Sequence, residues 1–92
     1  MDVKDLRYFI AVYENKGFSR ACEALGTVQS NVSARIRSLE EFLGVPLFER
    51  RYRAVVPTQT GDLLYEHAKQ VIDTLENTAR VVRFAYAART SE

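Results

Sequence analysis

The chain has 92 residues, of which 47% are hydrophobic and 27% charged; that is a globular composition, with room for one small domain and an appendage but not for two domains. Long disordered tracts are excluded, while a net charge of +1 argues neither for nor against a nucleic-acid partner. The single cysteine, Cys22, rules out an internal disulfide framework and a thiolate metal cluster, and Asp2, Lys4, Asp5, Arg7, Glu14, Lys16 and Arg20 interrupt the first 25 residues, so neither a signal peptide nor a membrane span is expected and a reducing, cytoplasmic setting is.

Residues 2–16 carry Leu6, Phe9, Ile10 and Tyr13 at helical spacing. Asp2 is the expected N-cap and Gly17 the expected stop. After Gly17 a shorter helix is expected, with Ser19 as its cap, Ala21, Cys22, Ala24 and Leu25 as a small-residue packing face, and Gly26 as its left-handed end.

The stretch TVQSNVSARIRSLEEFLG, residues 27–44, predicts the central helix. At 100° per residue, Val32, Ile36, Leu39 and Leu43 fall in one narrow sector, a core face. The opposite sector holds Ser30, Ser33, Ala34, Arg37 and Ser38, with Gln29 and Asn31 on its shoulders. A solvated face is more often filled with Glu and Lys; short, hydrogen-bonding groups beside arginine suit close approach to another surface, such as a duplex major groove, which admits one helix. Thr27 is the expected N-cap. Only a few residues around Gly26 separate this helix from the one before it, which is the spacing of a helix-turn-helix whose second member reads the groove. Short helix pairs also occur in purely structural bundles.

Gly44, Val45 and Pro46 stop the central helix. In LFERRYRAVVPT that follows, Leu47 and Phe48 open a short extended run, Val55 and Val56 form its return, and Arg50, Arg51, Tyr52 and Arg53 lie between them. This predicts a two-stranded wing with a basic tip, without the Asn-Gly or Asp-Gly turn that most clearly marks a hairpin. From Thr58 or Thr60 to about Arg89 one long helix is expected. Leu64, Ala68, Val71, Leu75, Thr78, Val82 and Ala85 step by fours and threes, with Tyr65, Ile72, Ala79 and Tyr86 in an adjacent row, so the pattern is a heptad seam. Thirty helical residues would reach roughly 45 Å, farther than so small a head can cover, and the seam calls for the same helix of a second chain. The charge is unevenly spread: residues 33–59 hold five basic against three acidic residues, whereas residues 1–32 balance and residues 60–92 are one negative.

Taken together, these segments resemble the N-terminal part of the LysR-type transcriptional regulators, a bacterial family. The likeness covers essentially the whole chain and is most specific in SNVSARIRSLEEFLGVPLFER, the wing arginine and PTQTG. It implies a mainly α fold: a winged helix-turn-helix head of three helices and a small two-stranded wing over residues 1–58, a dimerising linker helix over 59–89, a tail at 90–92, and a C-terminal effector-binding domain that this chain lacks. Such a chain is either a piece of a longer regulator, the favoured reading, or a naturally truncated one.

The resemblance also implies sequence-specific binding to an interrupted palindrome in double-stranded operator DNA, as a homodimer through the linker helix and a tetramer when full length. No cofactor is implied for this domain, a small-molecule effector for the absent one, and no metal, membrane or enzymatic activity. Carried over residue by residue, the family's groove-reading positions fall on Gln29, Ser30, Ser33 and Ala34, and its wing arginine on Arg53. Gln29 can pair with an adenine edge, Ser33 and Ala34 can meet a thymine methyl, and an arginine suits a narrow minor groove. Ser19 and Arg20, at a helix start, together with Asn31, Arg35, Arg37 and Arg50, are the expected backbone or minor-groove contacts. Leu64, Ala68, Val71, Ile72, Leu75, Ala79, Val82 and Tyr86 are the expected dimer interface. The chain departs from the family at three positions: Ser30 stands where many members have Pro, Ala34 where many have Arg, and Val28 where many have Ser. Arg35 or Arg37 is expected to take over part of the contact missing at 34.

Two other readings compete. Winged helices also serve as protein-interaction modules, which would explain the core and seam but not the Ser-rich outer face together with the arginine-rich wing. An enzyme would need more than His67, the only histidine, which has no carboxylate pair or ligand cluster in its neighbourhood of sequence.

Overall fold

A computed structural model of the chain describes residues 1–52 and 54–90. The element order is α1 (Val3–Asn15), α2 (Phe18–Leu25), α3 (Gln29–Leu43), β1 (Phe48–Arg51), β2 (Ala54–Pro57) and α4 (Gln59–Thr90). This is the mainly α winged helix-turn-helix with a long C-terminal helix that the sequence predicts.

Helix α1 begins in a reciprocal capping box. The Asp5 amide donates to Asp2 Oδ1 at 2.8 Å, and the Asp2 amide donates to Asp5 Oδ2 at 3.0 Å, so two amides that the helix start would leave bare are satisfied. Its end differs from expectation. Lys16 takes the left-handed conformation at φ 56°, while Gly17 is extended and opens α2. Helix α2 therefore starts at Phe18, before Ser19, and Ser19 is a first-turn residue rather than a cap. Gly26 ends α2 at φ 67°, a conformation that costs glycine nothing.

Thr27 does not cap α3 either. Val28 holds the N-cap position with no side-chain bond, and the Thr27 hydroxyl instead accepts from Asn31 Nδ2 at 2.9 Å. The core cluster is built from Phe9 and Val12 of α1, Phe18, Ala21 and Cys22 of α2, Val32, Ile36 and Leu39 of α3, and Leu47. Ile10, Leu25 and Leu43, expected in this core, pack half-buried at its margin, while Val12, Phe18 and Leu47 are additions to it. Leu47 is fully buried because its amide donates to Glu40 Oε2 at 2.7 Å, folding the turn after Gly44 back under α3.

The wing is an antiparallel pair in the register Phe48 to Pro57 and Arg51 to Ala54. Phe48 anchors it, 5.3 Å from the Phe9 ring and 6.5 Å from the Phe18 ring between centroids. At its far end Thr58 starts the last helix: its Oγ1 accepts the Gly61 amide at 3.0 Å and donates to the Pro46 carbonyl at 2.7 Å. A β-carbon at Gly61 would collide with the Leu47 carbonyl oxygen, so glycine is what lets α4 pass so close to the head. Helix α4 then lies along α1, burying Ala68 and Ile72 against Leu6, with Ile10 and Leu64 packed beside them. Beyond that contact it projects from the head, giving the molecule extents of 60 × 25 × 18 Å.

Candidate nucleic-acid interface

With Val32, Ile36 and Leu39 buried, the 100° step of α3 turns Ser30, Ala34 and Arg37 straight outward, and all three are exposed. Gln29, exposed, and Ser33, half-buried, flank this ridge on the wing side; Asn31, Arg35 and Ser38 flank it on the α1 side.

The wing side gathers most of the expected contacts. One cleft of about 360 Å³ is bordered by Ser19 and Arg20 of α2, Gln29 of α3 and Arg50 of β1, with Lys16 at its edge. A smaller cleft beside it brings Ser33 and Arg37 together with Arg50. Arg50 is held there by its guanidinium lying over the Phe18 ring, 4.7 Å from the centroid, a cation–π contact that orients the side chain while leaving its donors free. Among the described residues Arg20, Arg37 and Arg50 have no ion pair. The surface thus presents positive groups around a strip of small hydrogen-bonding ones. It has the dimensions of one helix and one wing, and nothing in it resembles an enclosed substrate pocket.

The α1 side is different, because Arg35 is paired within the chain. Its Nη1 donates to Asp5 Oδ1 at 2.8 Å and lies 3.9 Å from Asp2 Oδ1, with the guanidinium 5.2 Å from the centroid of the Tyr8 ring. Partial burial alone would raise the Asp5 carboxyl, but the bonds from Arg35 and the Asp2 amide outweigh it and hold the group below its ordinary pKa. The bond to Asp5 likewise raises the pKa of the Arg35 guanidinium. Arg35 is therefore tied to the first turn of α1. Asn31 is exposed but bonded to Thr27. Arg53 lies outside the described residues.

Sequence reasoning missed Lys16 and the placement of Tyr52. Lys16 reaches the cleft only because α1 ends one residue earlier than its glycine suggests. Tyr52 is fully exposed at the wing tip with φ 57°; the missing Asn-Gly signal marks that turn as irregular but gives no hint of which residue takes the left-handed position.

The expected dimer seam splits in two. Ala68 is 1% exposed and Ile72 5%, covered by α1 of the same chain, so these two have little surface left for a partner, and Leu64 is half-buried beside them. Val71, Leu75, Val82 and Tyr86 remain exposed on the projecting helix, and Ala79 is half-buried. Among the described residues no helix is long and apolar enough to cross a membrane, and no group of three His, Cys, Asp or Glu is arranged to hold a metal ion.

A winged helix-turn-helix with α3 exposed beside an arginine-bearing wing defines the class. The particular family follows from comparison with known proteins: the profile of the bacterial regulatory helix-turn-helix proteins of the lysR family matches residues 3–62, and the chain belongs to that family. It is 43% identical over 72 residues to the HTH-type transcriptional regulator BudR of Klebsiella aerogenes, across 78% of this chain and 50% of that protein. Solved structures of two DNA complexes superpose closely. The BenM DNA-binding domain on catB site 1 DNA has a TM-score of 0.87 at 34% identity, covering 90% of this chain and 92% of that one. The CbnR DNA-binding domain with DNA has a TM-score of 0.87 at 30% identity, covering 92% and 98%. The chain spans half or less of the length of the curated relatives it matches.

Proposed function

We propose that this chain binds double-stranded DNA in a sequence-specific manner as part of a transcriptional regulator. Helix α3 enters the major groove, with Gln29, Ser30, Ser33 and Ala34 against base edges. Ser19, Arg20, Arg37, Arg50 and Arg53 face phosphates or the adjoining minor groove, with Asn31 at the flank. The observation that carries this reading is the convergence of Gln29, Ser33, Arg37, Arg20 and Arg50 from three elements on one open surface. The DNA complexes of BenM and CbnR support it.

Two chains pair through the projecting part of α4, using Val71, Leu75, Ala79, Val82 and Tyr86, and together cover an interrupted palindrome. The charges of α4 favour an antiparallel pair: Asp62, Glu66, Asp73 and Glu76 outweigh Lys69 over residues 59–76, and Arg80, Arg83 and Arg89 make residues 80–90 basic, so opposed helices bring unlike charges together. The head at residues 1–58 reads and the helix at 59–89 pairs, with the first turns of that helix doubling as head. A small-molecule effector domain following this segment, assembly of the full-length protein into a tetramer, and work in the cytoplasm where chromosomal DNA lies complete the proposal. Nothing in the site calls for an enzymatic step or a cofactor.

The test is a fluorescence-anisotropy titration of the chain with a duplex selected from a random pool, at low and at moderate salt. Affinity should fall with salt by about 0.9 in log–log slope for each phosphate contact. A chain that enriches no duplex, or binds with no salt dependence, is not a DNA reader.

A further inference from the structure

The hydrophobic contact between α1 and α4 is non-directional, and by itself would let α4 rock or slide on the head. A second set of contacts beside it is directional. The rings of Tyr13 on α1 and Tyr65 on α4 stack with centroids 3.9 Å apart and planes 6° from parallel. Each hydroxyl crosses to a carboxylate on the other helix: Tyr13 Oη donates to Asp62 at 2.7 Å and Tyr65 Oη donates to Glu14 at 2.6 Å. Glu14 also lies 3.8 Å from Lys69 Nζ, and Arg7 lies 3.7 Å from Glu76 farther along.

The two rings pack half-buried against the head core while their carboxylate partners stay exposed, and the set fixes what the core alone leaves free. Parallel stacking resists tilt, and two crossed bonds set the register of one helix on the other. With Gly61 seated against Leu47 at one end and Ile72 against Leu6 at the other, the junction is braced along more than three helical turns.

We propose that the Tyr13–Tyr65 stack and its two crossed carboxylate bonds form a positioning latch, which fixes the angle between head and α4 and so the spacing at which a dimer's two heads meet DNA. The inference rests on the dimeric DNA-binding reading given above. Lever arithmetic shows why small changes would matter. From Tyr65 to the middle of the exposed seam is about 13 residues, or roughly 20 Å. A rocking of about 10° over that arm moves a head by roughly 3.5 Å, close to the 3.4 Å step between stacked bases. An unlatched junction would therefore accept neighbouring spacings that the latched one rejects. Tyr13 and Tyr65 touch no base in this scheme; they act through the orientation of α3.

The experiment is selection from a random duplex pool, carried out in parallel on the natural chain and on the double variant Tyr13→Phe, Tyr65→Phe, which keeps both rings and removes both hydroxyls. Tyr65→Leu, which removes the stack, is the stronger arm. The natural chain should enrich pairs of half-sites at one dominant spacing. The variants should enrich the same half-site sequence and remain dimeric in sedimentation. Their preference for that spacing over its neighbours should fall, in Tyr65→Leu by roughly tenfold. Affinity for a duplex with a single half-site should be unchanged. Variants that keep the sharp spacing while dimeric would overturn the latch. So would a Phe variant that loses single-half-site affinity, since the tyrosines would then be supporting the head itself. If the natural chain binds single half-sites but enriches no pairs, the dimeric reading fails and this inference falls with it, an outcome distinct from the first two.

Discussion

Replacing Arg35 by Ala strands the Asp5 carboxylate and removes the tie between α3 and the first turn of α1. The urea midpoint should fall while base preference stays the same, which separates this arginine from those proposed to face DNA. The pH dependence has a definite sign. Asp5 is held below its unfolded value of 3.8, so its contribution is present above that pH and is lost as the pH falls through the depressed folded value. Arg35→Ala should flatten this part of the acid limb in urea titrations taken at several pH values. Gln29 stands on the exposed flank, and Gln29→Ala or Ser33→Ala should cost about 1–3 kcal/mol on the favoured site and little on random DNA, measured by competition between duplexes. That Arg35 turns inward was not legible in sequence. The wheel places it on the flank, but the choice between solvent and Asp5 depends on how α1 crosses α3, which no local spacing encodes. Ser19 and Thr27 were misplaced for a related reason: each has a cap residue's chemistry, but the N-cap falls two residues before Ser19 and one after Thr27.

Element by element, periodicity showed which faces are apolar but not what covers them. The α3 stripe and the wing strands were legible because one partner, the head core, was available to each. The α4 stripe was read as a single seam, yet α1 takes Leu64, Ala68 and Ile72 while Val71, Leu75, Val82 and Tyr86 stay uncovered. Phe18 and Leu47 were missed as core because each follows a Gly- or Pro-containing turn that reads as loop, and only the Glu40 bond to the Leu47 amide shows the turn folding inward. Gly61→Ala should cost about 1–3 kcal/mol of head stability, measured by thermal or urea unfolding, because the new methyl meets the Leu47 carbonyl. Leu75 is left exposed by α1, so in Leu75→Glu the head should stay folded. The chain should become a soluble monomer in sedimentation, with much weaker binding to paired half-sites and nearly unchanged affinity for one, since the second head loses the effective concentration the pairing supplies. A Leu75→Glu chain that stays dimeric would mean the subunits meet elsewhere.

At the scale of the whole molecule, a head carrying one exposed Ser- and Arg-bearing helix packs against the first turns of a helix longer than the head can cover. The ridge of Ser30, Ala34 and Arg37, the flank of Gln29 and Ser33, and the cleft with Arg20 and Arg50 all open in the same general direction, and the central claim is that DNA lies there. The most direct test is amide NMR of the chain titrated with its selected duplex. The account predicts that the largest shift changes fall on Ser19, Arg20, Gln29, Ser30, Ser33, Ala34, Arg37 and Arg50, with Phe42 and the outer α4 residues Val81 and Phe84 undisturbed. Changes concentrated on Phe42 or on α4, with the α3 ridge silent, would contradict it.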